Sequence, residues 1–271
     1  MNSFGDFDAW LLCLDLNGNL LWQNQYGGNL DDYGGDMVLL QNGNLLIATS
    51  SRSPISGNKS EPNFLHNDIW LIEISASDGS IIQQKVIKSD GAEKMIRVVQ
   101  SSLNQNIYVS CGSEGGTAIG DRTDIGFGGD DIWIVKVDAD LNVLQDKCFG
   151  GTYSEGVPLL YEIDDAIYVS CISNSVPSGN KTAPYHGLDG FPADSWFIKI
   201  DTNMNIIWDR SYGGYDQEGP GRVFKNQNGK LVFSCSSRSI ISGNKTAPKY
   251  GNYDSWLLIL NDDGTILTQE S

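Results

Sequence analysis

Histidine is nearly absent from this chain of 271 residues: His66 and His186 are the two copies, and they share no sequence context. That scarcity excludes a histidine-based zinc cluster and leaves a Ser-His-Asp triad without a patterned base. Positive charge is short as well, with 18 Lys and Arg against 34 Asp and Glu, a net charge of −16 and a pI near 4.3. Phosphate contacts come from Lys and Arg, so the composition argues against nucleic acid and anionic membrane surfaces as partners. No run approaches the roughly eighteen apolar residues of a membrane span, and no hydrophobic leader core follows Met1; neither insertion nor a signal peptide is expected. The five cysteines are an odd number. Three of them, Cys111, Cys171 and Cys235, recur one repeat apart, where a disulfide is geometrically disfavoured, and they read as free buried thiols. Nowhere does a helical period persist over ten residues or so, so the chain reads as all-β.

What the chain does have is repetition. Ser-Gly-Asn-Lys-Thr-Ala-Pro stands at 178–184 and again at 242–248, and Ser-Gly-Asn-Lys-Ser-Glu-Pro at 56–62. Each copy runs toward an Asp-x-Trp triplet: Asp8-Ala9-Trp10, Asp68-Ile69-Trp70, Asp131-Ile132-Trp133, Asp194-Ser195-Trp196 and Asp254-Ser255-Trp256. Subtracting the Asp positions gives periods of 60, 63, 63 and 60. A period of several tens of residues points to a solenoid, a propeller or an array. In the copy at 29–87, strands are expected at Asp36 to Leu40, Asn44 to Ser50, Asp68 to Ser75 and Ile81 to Ile87, the first two joined through Asn42-Gly43. Asn-Gly between apolar runs is a hairpin signal, because both turn residues need positive φ. Four antiparallel strands per unit predict a β-propeller blade. The chain then holds about 4.5 blades in one domain: a half blade at 8–26 and complete blades at 29–87, 88–148, 149–211 and 212–271. The half blade implies an excerpt of a longer protein, or an oligomer in which a second chain completes it. All seven tryptophans fall on the third strand (Trp10, Trp70, Trp133, Trp196, Trp256) or the fourth (Trp22, Trp208), which marks them as blade-packing residues.

The order Asp-x-Trp, apolar strand, Asp-x-x-Gly-Asn, a strand carrying Trp, Tyr-Gly-Gly and then an acidic pair resembles repeats widespread in bacterial secreted and cell-surface proteins. Here it runs from Asp8 to Gly28 with Asp31-Asp32, and from Asp194 to Gly214 with Gln217-Glu218. The resemblance implies a propeller module of an exported protein, extracellular or at the cell surface, and brings no catalytic residues with it. The copy at 88–148 departs most, with Gly120-Asp121-Arg122-Thr123 where the others have Ser-Gly-Asn-Lys-Thr or its Ser variant. A weaker likeness to quinone-cofactor dehydrogenase propellers reflects shared blade mechanics, because no insert is long enough to hold such a cofactor.

In a four-stranded blade, the loop between strands two and three and the segment joining successive blades emerge on one face, and here these are the long segments. Binding residues tend to lie on such loops. An acid leads the first strand of every blade, Asp32, Glu93, Glu155 and Glu218, and four residues on, at equal pleat parity, come Asp36, Arg97, Leu159 and Arg222. Clustered carboxylates would suit Ca²⁺ or a polar ligand, with Arg97 and Arg222 deeper, although no calcium-loop motif is present. The bland alternative is that each acid accepts N–H bonds from its own glycine-rich loop. Tyr185 and Tyr250, beside polar loop residues, suit sugar or peptide contact. The sequence thus predicts a binding or interaction module for a carbohydrate or protein ligand, requiring no cofactor. The alternative is a carbohydrate-active propeller enzyme, a glycoside hydrolase or lyase, using carboxylates such as Glu155 and Glu218. The Asn-Lys-Ser and Asn-Lys-Thr triplets match the glycosylation pattern but belong to the repeat.

Overall fold

The computed structural model describes residues 3–114, 117–188 and 192–271, and every regular element among them is a β-strand. A two-stranded sheet, β1 (Ala9–Leu14) and β2 (Leu20–Tyr26), comes first. Four sheets of four strands follow, each antiparallel where its register is defined and each in sequence order. They are β3 (Asp32–Leu39), β4 (Leu45–Ser51), β5 (Asp68–Ile74) and β6 (Ile81–Ile87); then β7 (Glu93–Gln100), β8 (Ile107–Ser113), β9 (Asp131–Val137) and β10 (Val143–Phe149). The last two are β11 (Glu155–Ile163), β12 (Ala166–Ser173), β13 (Asp194–Ile200) and β14 (Ile206–Tyr212), and β15 (Arg222–Lys225), β16 (Leu231–Ser237), β17 (Asp254–Leu260) and β18 (Ile266–Glu270). The chain forms two compact units, Met1–Ile125 with Ile134–Lys147 and Gly126–Trp133 with Cys148–Ser271.

Repeated sequence becomes repeated register. Thr49 lies opposite Trp70 on β4 and β5, Cys171 opposite Trp196, and Cys235 opposite Trp256. A small side chain there leaves room for the indole, which explains why Cys and Thr alternate at one position. The thiols are free, and burial raises the pKa of Cys171 and Cys235, which leaves them inert packing groups. In the first unit Trp70 packs with Ile72, Ile74 and Val86 against Ala9 and Tyr26. In the second, Phe197 meets Phe233 at 4.8 Å between ring centroids within a cluster that includes Tyr212 and Trp256.

Neighbouring blades are tied at both ends of the fourth strand. Trp22 Nε1 donates to Ala76 O and Tyr26 Oη to Gly79 O; Trp208 Nε1 donates to Asp262 O and Tyr212 Oη to Gly264 O. Glycine is required at 79 and 264 twice over, by φ of 70° and 77° and because a Cβ would press within 2.8 Å of the Trp22 and Trp208 rings. At the other end, the asparagine of the Ser-Gly-Asn-Lys loop clasps the preceding strand. Asn58 Oδ1 accepts from Gly27 N and its Nδ2 donates to Gln25 O; Asn180 does the same with Gly150 and Cys148, and Asn244 with Gly213 and Ser211. The long loops and the segments joining blades therefore do share a face.

Two expectations are corrected. The first strand begins at Asp32, four residues before the expected Asp36, because a bulge between Gly34 and Asp36 lets pairing continue past it. The same one-residue shift falls between Lys94 and Arg97 and between Gly156 and Leu159, and it also separates the Glu218–Ser237 bridge from Arg222–Ser234. An inserted residue reverses pleat parity, so Asp36, Arg97, Leu159 and Arg222 do not follow the leading acids on one strand face. Trp10 is the second correction. It is 63% exposed, whereas Trp70, Trp133, Trp196 and Trp256 are fully buried, because β1 is paired on one side alone.

Candidate functional site

Each leading acid is held by its own blade junction. Asp32 accepts from Gly28 N at 2.6 Å and Ser53 Oγ at 2.7 Å; Glu155 from Gly151 N at 2.8 Å and Ser173 Oγ at 2.6 Å; Glu218 from Gly214 N at 3.0 Å and Ser237 Oγ at 2.6 Å. Glu93, whose copy lacks the glycine pair, accepts instead from Ser89 Oγ and Ser113 Oγ. All four are buried. Burial raises the pKa of Glu155 and Glu218 and lifts Glu93 to about 7, with the nearby Asp68 carboxylate adding repulsion. A lysine from the Ser-Gly-Asn-Lys loop compensates at three junctions: Lys59, Lys181 and Lys245 are buried, 5.5, 5.9 and 5.8 Å from the centres of the Trp70, Trp196 and Trp256 rings. Desolvation pulls Lys59 down to about 8 and lowers Lys181 and Lys245. In the divergent copy Arg122 is buried and donates to Ser113 Oγ. These are internal charge networks. Among the described residues, no group of three or more His, Cys, Asp and Glu side chains is placed to hold a metal ion.

The other candidates are dispersed. Arg97 Nη1 bonds the carbonyl of Ile96, and Arg222 is exposed at the start of β15. Tyr185 Oη donates to Pro192 O, closing its own loop, while Tyr250 is 77% exposed. Tyr250 N donates to Asp254 Oδ2, as Phe64 N does to Asp68, Phe127 N to Asp131 and His186 N to Asp194. Tyr250 thus occupies a repeat position. Two of its counterparts pack on the next blade: a Cβ on Gly179 would lie 2.7 Å from the Phe127 side chain, and one on Gly243 2.8 Å from His186.

A different group departs from the repeat. In the first unit, Tyr33, Ser50, Arg52, Asn67, Lys94 and Met95 line a cleft of about 430 Å³ on the long-loop face. The repeat-equivalent residues at the junction of the last two blades are Gly156, Ile172, Asn174, Ala193, Gly219 and Pro220, which offer neither an aromatic ring nor a cation. The cleft is built on the junction's own bonds: Asn67 Nδ2 donates to Ser50 Oγ, Ser50 Oγ donates to Glu93 O, and Glu93 N donates to Asn67 O. Tyr33 Oη donates to Asp31 Oδ2, which lies 3.6 Å from Arg52 Nη1, and Lys94 pairs with Glu114. Desolvation, the hydrogen bond to Asp31 and that carboxylate's charge raise the Tyr33 pKa. Met95, at the bulge, is 53% exposed with φ of 56°, a left-handed conformation uncommon for a residue with a side chain. An aromatic face, an apolar thioether, two cations, an amide and hydroxyls around one hollow can hold a hydroxyl-rich ligand. The signal was present in the sequence, as the residue after each leading acid (Tyr33, Lys94, Gly156, Gly219) and the residue after each strand-two serine (Arg52, Glu114, Asn174, Arg238).

No protein-family model and no curated protein matches the chain. Solved structures do resemble it. A Bacteroides caccae protein of unknown function aligns at 12% identity over 96% of this chain and 73% of its own, with a TM-score of 0.51. Penicillium chrysogenum α-L-arabinanase complexed with arabinobiose aligns at 13% identity and a TM-score of 0.51, and a mutant Fusarium graminearum α-L-arabinofuranosidase in complex with an iminosugar inhibitor at 12% and 0.50. The latter two alignments each cover 88% of this chain and 64% of the other, so the chain spans under two thirds of those enzymes. At such identities the likeness speaks of fold alone, and the fold is an all-β propeller built from four-stranded antiparallel blades.

Proposed function

We propose that this chain is a carbohydrate-binding β-propeller module whose ligand lies in the cleft between Tyr33, Arg52, Lys94 and Met95. The observation that carries this is the cleft's departure from the repeat: at one junction the positions beside the buried acid hold a ring, two cations and a thioether. Sugar rings stack their apolar faces on aromatic side chains while amide, hydroxyl and guanidinium groups bond their hydroxyls. The neighbouring arabinobiose and iminosugar complexes support a carbohydrate ligand on this fold.

Those neighbours also favour a second reading, a glycoside hydrolase. Hydrolysis needs two carboxyl groups flanking the bond. Glu155 and Glu218 are buried and bonded to their own junctions, and the residues lining the cleft carry no carboxylate, so any such pair must come from acids around it such as Asp31. One experiment addresses both readings: affinity electrophoresis in gels containing arabinan, xylan or a uronate-rich glycan, alongside reducing-end release from the same polymers. Retardation by at least one glycan, abolished in a Tyr33→Ala, Arg52→Ala double variant of unchanged melting temperature, is the expected result. Binding to none of a broad glycan panel, or binding indifferent to those two changes, would sink the proposal, and reducing ends released by the wild type would establish the hydrolase instead.

A further inference from the structure

In a chain with 34 acidic side chains to 18 basic ones, the residues lining the Tyr33–Met95 cleft include two cations, Arg52 and Lys94, and no carboxylate. Their partner acids, Asp31 and Glu114, stand outside the lining. Neither pair is closed off from solvent. The Arg52 and Lys94 side chains are 55% and 52% exposed, and ion pairs so exposed contribute little to stability, which leaves both cations able to exchange partners. The last blade shows what a committed arginine looks like. There Arg238, at the repeat position of Arg52, pairs with Asp216 and sets its guanidinium carbon 5.3 Å from the centre of the Tyr253 ring, so one face of the group is covered. At the cleft, Asn67 stands in the place of Tyr253. Among the described residues, the Arg52 guanidinium stacks on no ring and donates no hydrogen bond; Asp31 lies 3.6 Å from it, too far for one, and already accepts from Tyr33 Oη. A planar fork of five N–H donors is thus held beside a hollow with its donors uncommitted.

We propose that the cleft binds the carboxylate of a uronate residue in an acidic glycan, with Arg52 as its bidentate clamp and Lys94 as the second cation. This rests on the carbohydrate reading of the cleft and narrows it to one class of sugar. Guanidinium and carboxylate match through two parallel N–H···O bonds, a geometry that an ammonium group cannot reproduce. The Tyr33 ring and the Met95 thioether supply apolar surface for the sugar ring that bears the carboxylate, and Asn67 offers an amide to its hydroxyls. A neutral sugar would leave both cations with their weak partners and gain little from them. The net charge of −16 repels a polyanion at long range, so an acidic glycan does not adsorb through general attraction and its binding reports a local site.

The test titrates the whole chain calorimetrically with polygalacturonate, alginate and glucuronoxylan, each beside its own carboxyl-reduced form. At least one acidic glycan should bind at least about tenfold more tightly than its reduced counterpart, a difference of about 1.4 kcal/mol. Arg52→Gln and Arg52→Lys should each bring the two forms within about threefold of one another, because neither side chain offers the planar fork. Tyr33→Ala should weaken both forms alike. If Arg52→Gln lowers the melting temperature, Lys94→Gln reads the same preference and should reduce it. Equal affinity for acidic and reduced forms, still lost in Tyr33→Ala, would overturn this proposal and leave the carbohydrate reading standing, whereas binding to none of these polymers or of the broader panel would overturn both. Acid preference undiminished in Arg52→Gln and Lys94→Gln, or tighter binding to a sulfated neutral glycan such as carrageenan than to every uronate, would equally sink it.

Discussion

Replacing Asn244 by alanine tests the clasp that joins one blade to the next. Its Oδ1 accepts from Gly213 N at 3.0 Å and its Nδ2 donates to Ser211 O at 2.7 Å, and both backbone partners belong to buried residues. The variant leaves one N–H and one C=O unsatisfied at the end of β14. At about 1–3 kcal/mol for each buried orphan, and with the half-buried position admitting some water, the cost should be about 2–4 kcal/mol. Asn244→Asp keeps an acceptor for Gly213 but sets a carboxylate against the Ser211 carbonyl, so it should not rescue. Asn58→Ala and Asn180→Ala break the same pair of bonds and should cost the same within about 1 kcal/mol, because distant equivalent sites behave independently. Thr246→Ala, an exposed neighbour whose backbone N–H alone bonds Gln269, should stay within about 0.5 kcal/mol of wild type. Urea unfolding followed by tryptophan fluorescence reads these as shifts in midpoint at constant slope. An Asn244→Ala midpoint indistinguishable from that of Thr246→Ala would refute the clasp.

Tryptophans at one repeat position should divide by exposure: Trp70→Ala should lose about 3–5 kcal/mol through the emptied core site, Trp10→Ala under about 1 kcal/mol, and equal losses in calorimetry would contradict the open β1 edge. Burial lifts Glu93 to about 7 from an ordinary value of 4.5, so the folded chain binds that proton more tightly than the unfolded one; the stability involved is complete below about 4.5 and is lost as pH rises to about 7. Melting temperature should accordingly climb as pH falls from 8 toward 5, and Glu93→Gln should flatten that rise and stabilise the protein at pH 8; superimposable profiles would count against the buried carboxylate.

The order of strands was legible from the residues. Asp-x-Trp at periods of 60 to 63, the Asn-Gly turn, and apolar runs bounded by glycine specify hairpins through local geometry alone, and β6 stands at the expected residues. The shared position of Cys111, Cys171, Cys235 and Thr49 marked a small buried site because repetition made the comparison possible. The bulges were not legible: Met95 and Val157 carry side chains that rarely adopt φ near 55°, and both sit where the pairing of first and second strands shifts by one residue, a register that local preference does not announce. Nor could sequence decide whether a repeated carboxylate faces solvent or its own loop. For Asp32, Glu155 and Glu218 that depended on a glycine N–H four residues back and a serine about twenty residues on, brought together only when the first and second strands of the blade pair. The Tyr33–Met95 cleft is of the same kind, because its lining residues are far apart in the chain and become one surface only through packing between blades.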